Sequence, residues 1–290
     1  MFLKIIIVFA FFLWIGGNCE NIEILDICDI IQDSSIGVSC NIQDITEDKT
    51  LITTYREGNY YARFLRIENS SNPNIPNNIF GSFQQLVTAN FDFCNLNTLK
   101  SENFENANNL LELSIQGNNL RQLTSEVFSN VKALVKLELQ KNQIEDLQQG
   151  CFNGIRFLKD LNLSGNRIRT LNANIFNDMK NLQVLDLSNN KLEGINRNLF
   201  KENSKIQVLD LSFNNIAYIH GSTFTHMNLN ILDVSNNHFR KLVVHNCKNL
   251  YTSNSGIVEI VFKSREAMNE LIANDNEIEQ LSLSTKKYNI

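Results

Sequence analysis

The stretches "LDLSNNKLEGI" (Leu185–Ile195) and "LDLSFNNIAYI" (Leu209–Ile219) are one eleven-residue phrase written twice, twenty-four residues apart. Extending each back by three residues puts Leu182 and Ile206 at position 1 of a longer unit. In the unit from Leu182, apolar residues stand at positions 1, 4, 6, 11, 14 and 19, and Asn190 stands at position 9. The same frame opens at Leu158, Leu134, Leu110 and Leu86, and more loosely at Ala62. Downstream, Leu229 begins another copy, after which the period shortens, with Cys247 and Met268 opening two final units. That makes ten units in one frame. A fixed period of this length is the mark of a stacked repeat architecture.

Each position in the unit has a physical reason. Positions 4 to 8 alternate apolar and polar with period two, which predicts a short strand with its leucines turned inward. Such a strand cannot bury its apolar face alone, so neighbouring units must stack into one parallel sheet over one continuous core. Position 9 falls where the chain leaves the strand. An asparagine amide there can satisfy backbone groups that have lost the sheet ladder. Asn118, Asn142, Asn166, Asn190, Asn214 and Asn237 form this series, Asn276 extends it, and Cys94 holds the same position in the second unit. At position 19, Phe80, Phe104, Phe128, Phe152, Phe176, Phe200 and Phe224 predict an aromatic spine along the opposite wall. The bulkier wall becomes convex, so the solenoid bends.

These features resemble the leucine-rich repeat family, in its 24-residue extracellular type, over Ala62 to Leu281. The resemblance implies an α/β solenoid: a horseshoe with a parallel concave β-sheet, a mostly irregular or 3-10 convex side, and a concave face that binds a protein. A Cys-containing leader, the "ENSS" turn and the irregular late units "LNILDVSNNHFRKLVVHNCKNLYTSNSGIVEI" and "LIANDNEIEQL" are also similar to the mosquito leucine-rich-repeat immune proteins. Those are secreted factors that form complexes with complement-like thioester proteins. A thioester-type immune factor, or another repeat protein, is therefore the partner implied. The family's C-terminal cysteine cap and coiled coil have no counterpart before Ile290, which puts covalent pairing in doubt and points to a truncated relative or an incomplete chain.

The flanks divide the chain further. "MFLKIIIVFAFFLWIGG" carries one lysine and then an apolar run too short to span a bilayer, which reads as a secretory signal peptide cut after Cys19. The organisation expected is a signal peptide over 1–19, a capping segment over 20–61 and the repeat domain over 62–290, in a secreted, extracellular protein. Export into an oxidising compartment makes Cys28 and Cys40 a candidate disulfide over the open end of the core. Cys94 reads as a ladder residue, Cys151 as a small residue beside the spine, and Cys247 as a core residue. Two glycosylation sequons occur, "NSS" at Asn69 and "NLS" at Asn162. Asn162 sits in mid-sheet. It either carries a glycan that shields that part of the face or is closed off by strand formation, and both readings stand.

The chemistry of the surface narrows the function classes. With 26 Lys and Arg against 31 Asp and Glu, the chain lacks the basic surplus a nucleic-acid partner requires. His220, His226, His238 and His245 fall at unrelated positions without metal-ligand spacing, and no phosphate loop or nucleophile motif occurs. No catalytic, cofactor or metal site is expected, and an enzyme is not. Positions 2, 3, 5, 7 and 8 are expected to face the concavity. Position 3 changes from Lys136 and Asp160 to Val184, Val208 and Ile231, bordered at position 5 by Asp186, Asp210 and Asp233 and at position 8 by Phe213. An aliphatic strip with an aromatic anchor and a charged border suits a protein partner. Phe93 and Asp92 offer a second zone nearer the N-terminus. The function expected is a secreted recognition or adaptor module, plausible in innate immunity. The alternatives are a structural or adhesion component of extracellular matrix, and an ectodomain fragment of a Toll-like or other repeat receptor.

Overall fold

The computed structural model describes residues 31–33, 37–43, 62–68, 73–75, 79–263, 268–283 and 286–289. Ten parallel strands, one per unit, run from Ala62–Glu68 to Glu270–Ile272 in a single sheet, with nine turns of chain between them. Equivalent positions pair without slippage, as in Lys136↔Asp160, Asp160↔Val184, Val184↔Val208 and Val208↔Ile231. Register is strict because the pleat has period two, and a one-residue slip would turn every leucine into solvent. Leu137, Leu161, Leu185, Leu209 and Leu232 at position 4 are all fully buried. Ahead of the first unit, Ile31–Asp33 and Gly37–Gln43 form an antiparallel hairpin whose second strand pairs parallel with Ala62–Glu68. These two strands extend the sheet beyond the first unit. Cys28 and Asn69 lie outside the described residues, and the Cys40 side chain does too, although its backbone belongs to the strand Gly37–Gln43.

The asparagine ladder forms as expected. Asn166 donates from Nδ2 to the carbonyls of Leu163 (2.9 Å) and Leu139 (3.1 Å), and its Oδ1 accepts the Ile144 N–H at 3.0 Å. One side chain therefore ties its own coil to the preceding one, and Asn142, Asn190, Asn214 and Asn237 repeat the pattern. Asn276 joins, accepting from Ser255 and Ile257. Between Asn237 and Asn276 the rung is Ser255, whose hydroxyl donates to the Val234 carbonyl at 3.0 Å. Cys94 occupies its rung buried, with its N–H on Asn118 Oδ1.

On the opposite wall the seven phenylalanines are buried and consecutive rings lie 5.7–6.5 Å apart. Strands in the sheet repeat at about 4.8 Å. The wider repeat on the aromatic side makes that wall convex. Cys151 and Cys247 are buried free thiols at the core positions expected, and desolvation pushes them up to about 12 and about 11.

After Phe224 the convex wall differs from the irregular and 3-10 form expected. Lys241–Val244, Glu259–Phe262 and Gln280–Leu283 pair in parallel as a second sheet, closed by the antiparallel strand Lys286–Asn289. The reason is coil length. Leu229 pairs with Cys247 and Asn249 with Glu270, so these coils take 18 and 21 residues. They have no filler to hold backbone groups apart, and the convex chains hydrogen-bond coil to coil.

Candidate functional site

The concave face is read from the strand triplets. Val184, Val208 and Ile231 are in register on three adjacent strands and half-exposed. Two residues along, Asp186, Asp210 and Asp233 form a parallel row, also half-exposed. The structure thus brings the aliphatic stripe and acidic border into one patch. Sequence reasoning stopped short of its far side: the stripe continues to Asn249 and Glu270, and the acidic row to Tyr251 and Ile272. Tyr251 donates its hydroxyl to Glu270 at 2.8 Å, and that bond pushes the phenol above its ordinary range.

Each aspartate of the row also has a local task. One carboxylate oxygen accepts the N–H of the serine two residues on, at 2.9 Å for Ser188, 2.8 Å for Ser212 and 2.9 Å for Ser235. The side chain thus bends the chain out of the strand. Asn162 does the same in the preceding coil, accepting from Ser164 N–H at 2.9 Å and Ser164 Oγ at 2.6 Å. Its sequon serine is therefore locked against the amide oxygen on the concave sheet. Burial raises the Asp210 carboxyl above its usual 3.8, with Asp186 and Asp233 adding to the effect and Ser212 opposing it. Burial also raises Asp160, which Lys136 partly offsets. Lys136 itself is held by Glu138 at 2.8 Å.

Position 7 shares the face of position 5 but is covered there: Ser188, Ser212 and Ser235 are buried, and Ser212 Oγ donates to the Asp210 carboxylate at 2.6 Å. Position 8 is the turn itself, and its backbone is left-handed in coil after coil: Phe93, Gly117, Lys141, Gly165, Asn189, Phe213 and Asn236 all have φ between 53° and 67°. Glycine and asparagine adopt that region readily, whereas a bulky side chain there is an outlier. Phe213 is nevertheless 54% exposed, on the edge where the strands end. Phe93 is 60% exposed and lies over Gly117, where a Cβ would come within 2.2 Å of its ring. The sequence lacked a signal for Tyr218, which stands 62% exposed past the asparagine rung, beside the Ile195↔Ile219 bridge and off the concave strands, with its ring edge-on to His220 at 6.4 Å.

Among the described residues, no three His, Cys, Asp or Glu side chains gather where they could hold a metal ion. No helix there is long and apolar enough to cross a membrane.

A parallel-strand solenoid with an asparagine ladder, a phenylalanine spine and an open concave sheet defines a repeat scaffold of the kind that typically binds proteins. The model described as "Leucine rich repeat" matches residues 132–192 and 180–239, and the one described as "BspA type Leucine rich repeat region (6 copies)" matches 7–135. The chain belongs to the leucine-rich repeat family. No curated protein matches it. Among solved structures it is similar to the APL1 leucine-rich repeat domain, at 18% identity and TM-score 0.54, over 85% of this chain and 84% of that one. It is equally similar to the receptor chain of the TLR13–ssRNA13 complex, at 18% identity and TM-score 0.54, over 82% of this chain. It spans 46% of the length of that chain. Identities this low concern the fold.

Proposed function

We propose that the chain is a secreted recognition or adaptor protein of innate immunity that binds a protein partner on the concave sheet of its later coils. The observation that carries the reading is the in-register stripe of Val184, Val208 and Ile231, half-exposed on a rigid sheet and flanked by the row Asp186, Asp210 and Asp233. Rigid strands hold such a patch without an ordering cost on binding, which favours a specific partner. The expected export signal and the resemblance to mosquito immune repeat proteins supply the setting. Phe213, kept at a backbone conformation that disfavours it, supports an edge contact, since strained residues persist where function selects them. A nucleic-acid ligand such as the TLR13 complex holds suits this face poorly, since the triplets from Asp160 to Ile272 carry five carboxylates against two exposed lysines, Lys159 and Lys248, at position 2.

The test is a pull-down with the tagged chain from the extracellular fluid of its source, with and without reductant. A discrete protein retained by the wild type in both conditions, and lost with Val208→Ser and Phe213→Asn, is expected. Equal retention by both variants removes the site. Release only under reductant assigns the contact to a cysteine, and recovery with insoluble polymer alone favours a matrix component.

A further inference from the structure

We infer that the partner presents an amphipathic α-helix with a basic row beside an apolar row, laid across the strands of coils 184–233. This rests on the concave-face reading above and adds the chemistry and shape of the occupant.

Charge comes first. Asp186, Asp210 and Asp233 line three successive strands, Asp160 and Glu270 stand in the stripe column to either side, and among the described residues none of the five is held in an ion pair. Like charges one strand apart repel, and the crowding is relieved by cations brought from outside. The adjacent aliphatic stripe calls for apolar side chains running parallel to those cations.

Spacing then selects the helix. The three aspartates sit on consecutive strands, so their row advances about 4.8 Å at each step and about 9.6 Å in all. A helix rising about 1.5 Å per residue places side chains i, i+3 and i+7 at about 0, 4.5 and 10.5 Å, within about 1 Å of each step. An extended chain repeats a given face only every 6.6–6.8 Å or so, and overshoots the third aspartate by about 4 Å. A helix is also about 10–12 Å across, so one helix covers both rows, which lie two strand residues apart.

The probes are two synthetic peptides of identical composition. One is a stapled helix with Arg at i, i+3 and i+7 beside a Leu row; the other alternates Arg and Leu as a strand. Their binding to the purified chain is read by fluorescence anisotropy, against the chain carrying Asp186→Asn, Asp210→Asn and Asp233→Asn together. That variant keeps the turns, because Asn162 makes the same contact in the same register. The helix is expected to bind at least about tenfold tighter than the strand peptide, to weaken about tenfold or more on the variant, and to weaken with salt. Equal binding of the two peptides, no binding of the helix, or a helix indifferent to the aspartates overturns the inference. If the natural partner is lost with Val208→Ser but kept by the triple variant, the docking face stands and the cationic helix falls. If both variants keep it, the docking face falls as well.

Discussion

Replacing Asn166 by Ala removes one rung from the middle of the ladder, and the structure sets what that costs. The amide satisfies the buried Ile144 N–H at 3.0 Å and supplies donors to the carbonyls of Leu163 at 2.9 Å and Leu139 at 3.1 Å. Alanine leaves the N–H without a partner in a site closed to water, and takes one donor from each carbonyl. An orphaned buried donor costs about 1–3 kcal/mol, and weakened acceptors that keep other partners cost less, so about 2–3 kcal/mol is expected in total. For a chain of this size each kcal/mol moves the thermal midpoint by roughly 2–4 °C, so the expected drop is roughly 4–12 °C. The assay is circular dichroism melting, with urea titration to check that the denaturant slope is unchanged. Asn276→Ala, on a half-exposed rung near the end of the sheet, serves as the comparison and should lose less than half as much. An unchanged midpoint for Asn166→Ala refutes the account of the ladder as the tie between coils.

Three further outcomes follow from the same structure. Phe176→Ala opens a void between Phe152 and Phe200 and should cost about 3–5 kcal/mol, read by urea unfolding; a loss below 1 kcal/mol would mean the convex wall collapses freely. Phe213→Asn removes a strained left-handed phenylalanine and should raise stability by about 0.5–1.5 kcal/mol while weakening partner binding; a variant that melts lower would mean the ring packs rather than waits for a partner. Because burial raises the folded Asp210 carboxyl above its ordinary 3.8, the native state holds a proton more tightly than the unfolded chain, and this group destabilises at neutral pH. That penalty fades as pH falls through the raised value, so Asp210→Asn should raise the melting point at pH 7 and lose its advantage below about 3.8.

Most of the scaffold was legible because each structural task recurs with a fixed residue. Leucine at position 4, asparagine at position 9 and phenylalanine at position 19 repeat often enough to fix frame, inward face and both walls. The late convex sheet was written less plainly. The alternating "KLVV", "EIVF" and "QLSL" of Lys241–Val244, Glu259–Phe262 and Gln280–Leu283 carry a strand signal, but recur at the shortened period and not at twenty-four. Position 8 is a turn rather than a strand residue for a different reason. Glycine and asparagine there announce a left-handed turn, while the phenylalanines at 93 and 213 suggest a strand residue facing the concavity. The stripe and the acidic row were readable because strand register follows from the frame. Their extension to Tyr251 and Glu270 was not, since it depends on how the 18- and 21-residue coils realign.

Hydrogen–deuterium exchange of the chain alone and with its captured protein partner tests the concave-face account most directly. Slowed exchange confined to residues 184–186, 208–210 and 231–233 and to the edge around Phe213 is the predicted result. Protection confined to the phenylalanine wall, or to the Phe93 end of the sheet, would contradict it.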